Sequence, residues 1–502
     1  DPKRPTPLIQ YGARCYNLTA LIERKRRAGN LSPIAVRVRQ SPANDMKPGD
    51  VVDPQKLAER LRSGALRSAV VVGLGGVGKS TFAKTLEALV CDVLPTVRVD
   101  LNVDVGARLP PKRHTLAGPE PNAVLAAAAR ALNVPHEARL GPQSAAARAL
   151  GGGPWLLLLD SLDEVSDARH DDVLRAIRHA LKRSPNVRVL LFTRPPVATP
   201  LAQLASIHTV LELEPQSCAG AQRALKSWAK QHKELKDVPA VVHRLGLDRR
   251  VQFDGRCAYP HLMTWRDLKL VAGLGELRSK GQSEPWDTSL DGSRASLYRV
   301  SALDCLSVGF HDTGREAPAL LSVLDTLTQQ RSAHELDRAL AFSMTTCIAA
   351  AEHRSLTNTK SFCRRLLRTR LFAPPASDGL YRFANQSLAD WLIARRLDAQ
   401  LASLSADKRC AEVAKHDRRF RSSEIAAFFV GMPHGRACLG TVARALCDTG
   451  AVRLDLLRTL ERGLPWGAAR TAAIANAERV MAADPQPQDT CARALLQQLT
   501  RP

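Results

Sequence analysis

The stretch SAVVVGLGGVGKST, Ser68 to Thr81, constrains the fold more than any other part of the chain. Small and β-branched residues from Ser68 to Val72 read as a short strand buried on both faces. Gly73, Gly75, Gly76 and Gly78 follow, separated only by Leu74 and Val77, and then come Lys79, Ser80 and Thr81. The spacing is GxxxxGK[ST]. Glycines there let backbone N–H groups turn inward around an anion without side-chain clash. A helix starting near Gly78 points its positive end at the same place. Lys79 supplies a point charge to β- and γ-phosphates, and the Ser80 hydroxyl is placed to ligate Mg²⁺. The backbone and hydroxyls from Gly73 to Thr81 therefore suit the phosphate chain of ATP or GTP with its magnesium.

Two further stretches bear on that site. WLLLLDSLDE is an apolar strand ending in Asp160, 160 − 79 = 81 residues beyond the lysine. On the strand neighbouring the glycine-rich turn, its carboxylate would hold the Mg²⁺ shell. Asp163 and Glu164 follow at once; one of them can orient an attacking water, or both can serve as the acidic start of a helix. VLLFTRPP ends a strand at Thr193 and puts Arg194 at the edge where open α/β sheets bind ligands. Arg194 can reach a γ-phosphate there, or make an ordinary surface salt bridge.

The wider pattern predicts an α/β P-loop NTPase core with a parallel sheet of about five strands. Its strands are SAVVVG, TVRVDLNV, WLLLLD, VRVLLFT and HTVLELEP. NAVLAAAARAL is one intervening helix, and Val173, Leu174, Ile177 and Leu181 mark one face of another. Residues 1–66, with 13 Lys/Arg against 6 Asp/Glu and scattered prolines, read as a loosely packed basic arm or the remnant of a preceding domain. IERKRRAGN within it reads as a short helix. The core spans 67–217. After Pro215 the pattern is mostly helical to the end, with no repeat of 30 to 45 residues.

Composition limits the partners. Net charge is 72 − 49 = +23 over 502 residues. Such a surface attracts polyanions, nucleic acid among them, or is an arginine bias spread over solvated helix faces. No signature with aromatics interleaved among basic residues appears. The 11 cysteines are scattered and include no CxxC pair. That predicts neither a disulfide framework nor a zinc site, and a reducing cytoplasm. No apolar run is long enough to cross a bilayer.

The order GLGGVGKST, LLLLDSLDE, LLFTRP resembles the NACHT group of STAND signal-transduction NTPases, down to the small residue after the strand aspartate. LYRFANQSLADWLIARRL, Leu380 to Leu397, resembles the winged-helix segment of that group, through Phe383, Ser387, Leu388, Asp390, Leu392 and Ala394. Simple amphipathic packing of Leu388, Trp391 and Leu392 would give the same pattern. CAYPHLMTWRDLKL is similar to the helical stretch whose proline, here Pro260, packs near the adenine. Asn385 stands where many relatives place a histidine on the β-phosphate; an amide can donate there but carries no charge.

The resemblance covers roughly residues 66–400. It implies a helical lid at 218–335 and a winged-helix-like segment at 336–400; beyond it, residues 401–502 read as a helical region from Ala, Leu and Arg at helical spacing. It also implies a switch: a closed ADP form, and an ATP form that self-associates, with slow hydrolysis as a timer. In bacteria many such proteins serve in antiviral defence with an effector and a sensed protein ligand, neither of which this sequence identifies. Two other readings stand beside it. One is an AAA+-like nucleic-acid-associated ATPase, favoured by the charge. The other is a scaffold that binds nucleotide for stability without turnover.

Overall fold

The apolar run from Ala69 to Val72 forms the middle strand of a seven-stranded sheet. This is a computed structural model. It describes, with short breaks, residues 36–101, 123–131, 153–195, 209–214, 251–258, 264–271, 293–329, 341–383 and 386–500. The chain divides into two compact units, Asp1–Glu214 and Pro215–Pro502.

The first unit runs β1 (Val36–Gln40), β2 (Val51–Val52), α1 (Pro54–Ser63), β3 (Ser68–Val72), α2 (Lys79–Val90) and β4 (Thr96–Asp100). It continues through α3 (Ala123–Ala131), β5 (Trp155–Asp160), a 3₁₀ turn (Leu162–Glu164), α4 (Asp167–Arg183), β6 (Val187–Thr193) and β7 (Thr209–Leu213). The sheet order is β2-β1-β7-β3-β6-β5-β4. Strands β7, β3, β6, β5 and β4 are mutually parallel. These are the five strands expected from the sequence.

All six residues of β5 are buried, as a strand covered on both faces requires. Val70 and Val72, Val97 and Val99, Leu157 and Leu159, and Val189 and Leu191 alternate onto one face. That face packs on Val124, Leu125 and Ala128 of α3 and on Val173, Leu174, Ile177 and Ala180 of α4. Each buried aliphatic side chain is worth roughly 1.5–3 kcal/mol of transfer free energy.

The basic N-terminal segment is not a loose arm where it is described. β1 adds antiparallel to the β7 edge, and β2 adds antiparallel to β1. The reason lies in the alternation of VRVRQ. Val36 and Val38 are buried, while Arg37 and Arg39 pair with Glu214 at 2.7 Å and Glu212 at 3.0 Å on the neighbouring strand. Helix α1 follows, capped by the Asp53 side chain accepting from the Lys56 N–H, and buries Leu57, Ala58 and Leu61. The helix expected within 22–29 lies outside the described residues.

The second unit is not purely helical. It contains a short hairpin, β8 (Val251–Phe253) with β9 (Arg256–Ala258). Helices α5 (Arg294–Ser307) and α6 (Thr313–Gln329) follow. Then come β10 (Ala341–Phe342), α7 (Met344–His353), α8 (Thr359–Leu366), β11 (Phe372–Ala373) and β12 (Tyr381–Phe383). These three strands form an antiparallel sheet in the order β10-β12-β11. Next are α9 (Gln386–Leu401), α10 (Ala406–Ala414), α11 (Ser423–Val430), α12 (Pro433–Ala437) and α13 (Leu439–Cys447). The unit ends with α14 (Arg453–Gly463), α15 (Ala468–Ala483) and α16 (Asp489–Leu499).

Leu388, Trp391 and Leu392 of α9 are buried in one continuous core with residues of α5, α6 and α11. A buried charge cluster crosses that core. Arg294 donates to Asp267 at 3.1 Å and to Glu424 at 2.8 Å, and Arg462 donates to the other Glu424 oxygen at 2.7 Å. All four side chains are fully buried.

The cysteine expectation is overturned. Cys347–Cys363, Cys410–Cys438 and Cys447–Cys491 are disulfides. Cysteines far apart in sequence meet because helices pack in pairs: α7 with α8, α10 with the residue before α13, and α13 with α16. Adjacent CxxC spacing was the wrong signal for such cross-helix pairing. The inference of a reducing compartment from cysteine usage falls with it. Among the described residues no helix is long and apolar enough to cross a membrane.

Candidate functional site

Strand β3 delivers the chain to the C-terminal edge of the sheet, where Gly73 begins the glycine-rich turn. A Cβ on Gly73 would lie 2.7 Å from Val77 Cγ1 and 3.1 Å from Leu213 Cβ, so no larger residue fits. Gly76 and Gly78 adopt φ of 79° and 109°, which L side chains rarely tolerate. Gly78 then caps α2, and Lys79 is its first residue. Val77 is buried under the loop, while Ser80 and Thr81 are exposed at the start of the helix. The loop folds over the first turn of α2, as an anion cradle at a helix N-terminus requires.

Lys79 Nζ donates to the Gly73 carbonyl at 2.8 Å and the Leu74 carbonyl at 3.3 Å. Its charge is thereby held over the glycine-rich turn rather than out in solvent. Ser80 Oγ donates to Asp160 Oδ2 at 2.8 Å. Asp160 comes from the end of β5, which is not the immediate neighbour of β3: β6 lies between them. The expectation of adjacent strands is corrected. The helix start at Lys79–Ser80 bridges the intervening strand.

Asp160 is held from its other side. Its Oδ1 accepts from the Ser161 N–H at 2.9 Å, and Ser161 Oγ donates to Asp100 Oδ2 at 3.2 Å. Ser161 sits at φ 64°, a strained conformation for a residue with a Cβ. Asp100 ends β4 in register with Asp160 at the end of β5. The sequence reading missed Asp100. Its signal was present: TVRVD and WLLLLD both close a strand on a carboxylate, and parallel pairing sets the two side by side.

Arg194 follows β6 and lies next to Asp163 in the 3₁₀ turn, with Nε 2.8 Å from Oδ2. Both side chains are buried, so this is not the surface salt bridge that was the plain alternative for Arg194. The backbone of Glu164 completes that turn, and its side chain lies outside the described residues. Pro260 and Asn385 also lie outside them.

The structure thus brings Gly73–Thr81, Asp160, Asp163 and Arg194 to one edge of one sheet. Ser80 and Asp160 are hard oxygen donors side by side, the donor type Mg²⁺ prefers, and few protein ligands are needed when phosphates and water complete the shell. Among the described residues no group of three or more His, Cys, Asp or Glu could hold a metal on its own. The residues fit a magnesium–nucleotide complex rather than a protein-only metal cage. The architecture is that of a P-loop NTPase α/β fold followed by a largely helical C-terminal region.

No protein-family model and no curated protein matches the sequence. Among solved structures the chain is similar to Cdc6p from Pyrobaculum aerophilum, with 13% identity over 68% of this chain and 92% of that one, at a TM-score of 0.30. It is similar to a Walker-type ATPase of Pyrococcus abyssi, with 11% identity, 68% and 94% coverage and a TM-score of 0.30. It is also similar to the Orc1 protein of Aeropyrum pernix, solved in complex with DNA, with 17% identity, 72% and 97% coverage and a TM-score of 0.31.

Proposed function

We propose that the chain is a STAND-type signalling NTPase that binds Mg·ATP or Mg·GTP at Gly73–Thr81. In this reading it alternates between a closed diphosphate form and an open triphosphate form that associates with other copies of itself. The carrying observation is the 2.8 Å contact between Ser80 and Asp160, from elements 80 residues apart in sequence. A cation site beside a phosphate chain gives a reason for that hydroxyl and that carboxylate to meet at the mouth of a glycine-rich turn.

The residues then divide the work. Backbone N–H groups of the turn and the start of α2 bind phosphate oxygens. Lys79 balances charge on the β- and γ-phosphates. Ser80 and Asp160 would hold Mg²⁺, which when bound neutralises charge on those phosphates. Ser161 and Asp100 keep the Asp160 carboxylate turned toward Ser80. Arg194 has two anionic partners to choose between, Asp163 and a γ-phosphate, and its choice reports which nucleotide is present. Asp163 released from Arg194, or Glu164 beside it, would orient the attacking water. While Asp163 is held by Arg194 its oxygen is turned to the guanidinium rather than to a water, which suits slow turnover. The fitting biological setting is bacterial antiphage signalling, coupled to an effector and a sensed protein ligand that the sequence does not identify.

Light scattering coupled to size exclusion tests the switch. The expected result is a monomer with ADP and a larger assembly with a non-hydrolysable ATP analogue, abolished by Lys79→Ala. An unchanged mass with either nucleotide, on protein shown to bind both, contradicts it.

A further inference from the structure

We propose that residues 341–383 form a winged helix-turn-helix whose second helix, α8, docks in the major groove of duplex DNA. The inference stands on the second unit alone and does not depend on the nucleotide site.

The element order from β10 to β12 is strand, helix, helix, strand, strand. The last strand lies between the other two, so the helix pair is backed by one small sheet. Phe342, Phe372 and Phe383, one from each strand, pack ring against ring at 5.0 to 6.1 Å. Helix α7 is capped by Ser343, whose Oγ accepts from the Thr346 N–H at 3.0 Å. Helix α8 turns Cys363 and Leu366 into the core, and the Cys347–Cys363 disulfide ties it to α7. The second helix is therefore held at a fixed angle on a rigid base, which is what groove docking needs.

Its outer face is cationic. At about 100° per residue, Lys360, Ser361, Arg364 and Arg365 fall within an arc of about 140° on α8, opposite the buried face, and Arg368 follows in the turn just past the helix. All five are exposed. Between Ala341 and Ala373 the sequence holds six Lys/Arg and one acidic residue, Glu352. The face presents no exposed apolar side chain, so it lacks what a membrane-lying helix must insert. A helix is about 10–12 Å across and the major groove about 12 Å wide. Arginine forks match guanine edges and phosphates, and a serine hydroxyl suits a phosphate oxygen. Charge sign, helix size and donor geometry together select duplex DNA.

The test is fluorescence anisotropy of the full chain with a labelled DNA duplex of about two helical turns, in salt from about 50 to 200 mM. Wild type is expected to bind, with affinity falling steeply as salt rises. Arg364→Glu with Arg365→Glu should weaken binding by at least about 30-fold, since two cations on the docking face become anions facing the phosphates. Arg175→Glu with Arg178→Glu, an equal charge change on exposed sites of α4, should shift it less than about 3-fold if the site is local. Ser361→Glu gives an independent check on the same face, and circular dichroism confirms folding of each variant. No binding by wild type, or equal loss in both double variants, overturns the proposal. So does an RNA duplex binding as tightly as DNA, because the A-form major groove does not admit the helix.

Discussion

Arg194 Nε and Asp163 Oδ2 lie 2.8 Å apart at the sheet edge, with side-chain exposures of 8% and 3%. Removing one member of such a pair takes from the other buried charge its close opposite charge. Asp163→Ala is therefore expected to lower unfolding free energy by about 3–5 kcal/mol. The double variant Asp163→Leu, Arg194→Met should recover most of that loss. Urea denaturation of the single and double variants checks it; equal losses in both would show that the two side chains are not coupled.

Tyr298 offers a pH-dependent readout of the second unit. Burial pushes its phenol from an ordinary value near 10 up to about 12, with the Arg294 guanidinium at its hydroxyl pulling partly the other way. A group with a raised folded pKa contributes stability that is complete below its unfolded value and lost as pH climbs through the folded one. The window here is pH 10 to 12. Ultraviolet titration should show one of the five tyrosines ionising late, and Tyr298→Phe should remove that late step. A single step for all tyrosines near pH 10 would contradict the burial.

Helices α11 and α14 cross without room for a methyl group. A Cβ on Gly463 would meet the Ala427 carbonyl oxygen at 2.1 Å. Gly463→Ala is expected to destabilise by about 1–3 kcal/mol or more, through forced separation of the helices. Gly467→Ala is the contrast: nothing lies within 4 Å, but φ 78° with ψ −148° is a glycine-only backbone region that costs a residue with a Cβ about 1–3 kcal/mol. Crystal structures of the two variants would separate the causes, with displaced helices expected only in the first.

The Cys447–Cys491 disulfide closes a loop of 44 residues between α13 and α16. On chain-entropy grounds its removal costs about 4 kcal/mol. Cys447→Ser with Cys491→Ser should lower the urea midpoint accordingly, and peptide mapping without reductant should find the two cysteines linked in wild type. Free thiols at both positions would refute the pairing.

The parallel strands and the phosphate-type turn were legible because both rest on local patterns. WLLLLD is six residues long with glycines before it, which favours a strand with two dry faces over a helix, and GLGGVGKST admits few backbones. The N-terminal strand was harder. VRVRQ alternates, but its arginines make it look solvated until Glu212 and Glu214 of a distant strand are placed beside them. Asp100 and Ser161 escaped notice because their importance comes from register between β4 and β5, which no single stretch encodes. The cysteine pairs likewise depend on which helices pack together. The charge cluster joining Arg294, Asp267, Glu424 and Arg462 unites residues nearly two hundred positions apart, and each alone reads as an exposed helix residue.

The nucleotide site is tested most directly by isothermal titration calorimetry of the folded chain with Mg·ATP, Mg·GTP and their diphosphates. Saturable heat at one nucleotide per chain is expected for at least one of them. It should vanish in Lys79→Ala and weaken in Asp160→Asn when magnesium is present. No heat with any of the four, on protein whose circular dichroism shows the sheet and helices intact, would contradict the assignment of Gly73–Thr81 as a phosphate cradle.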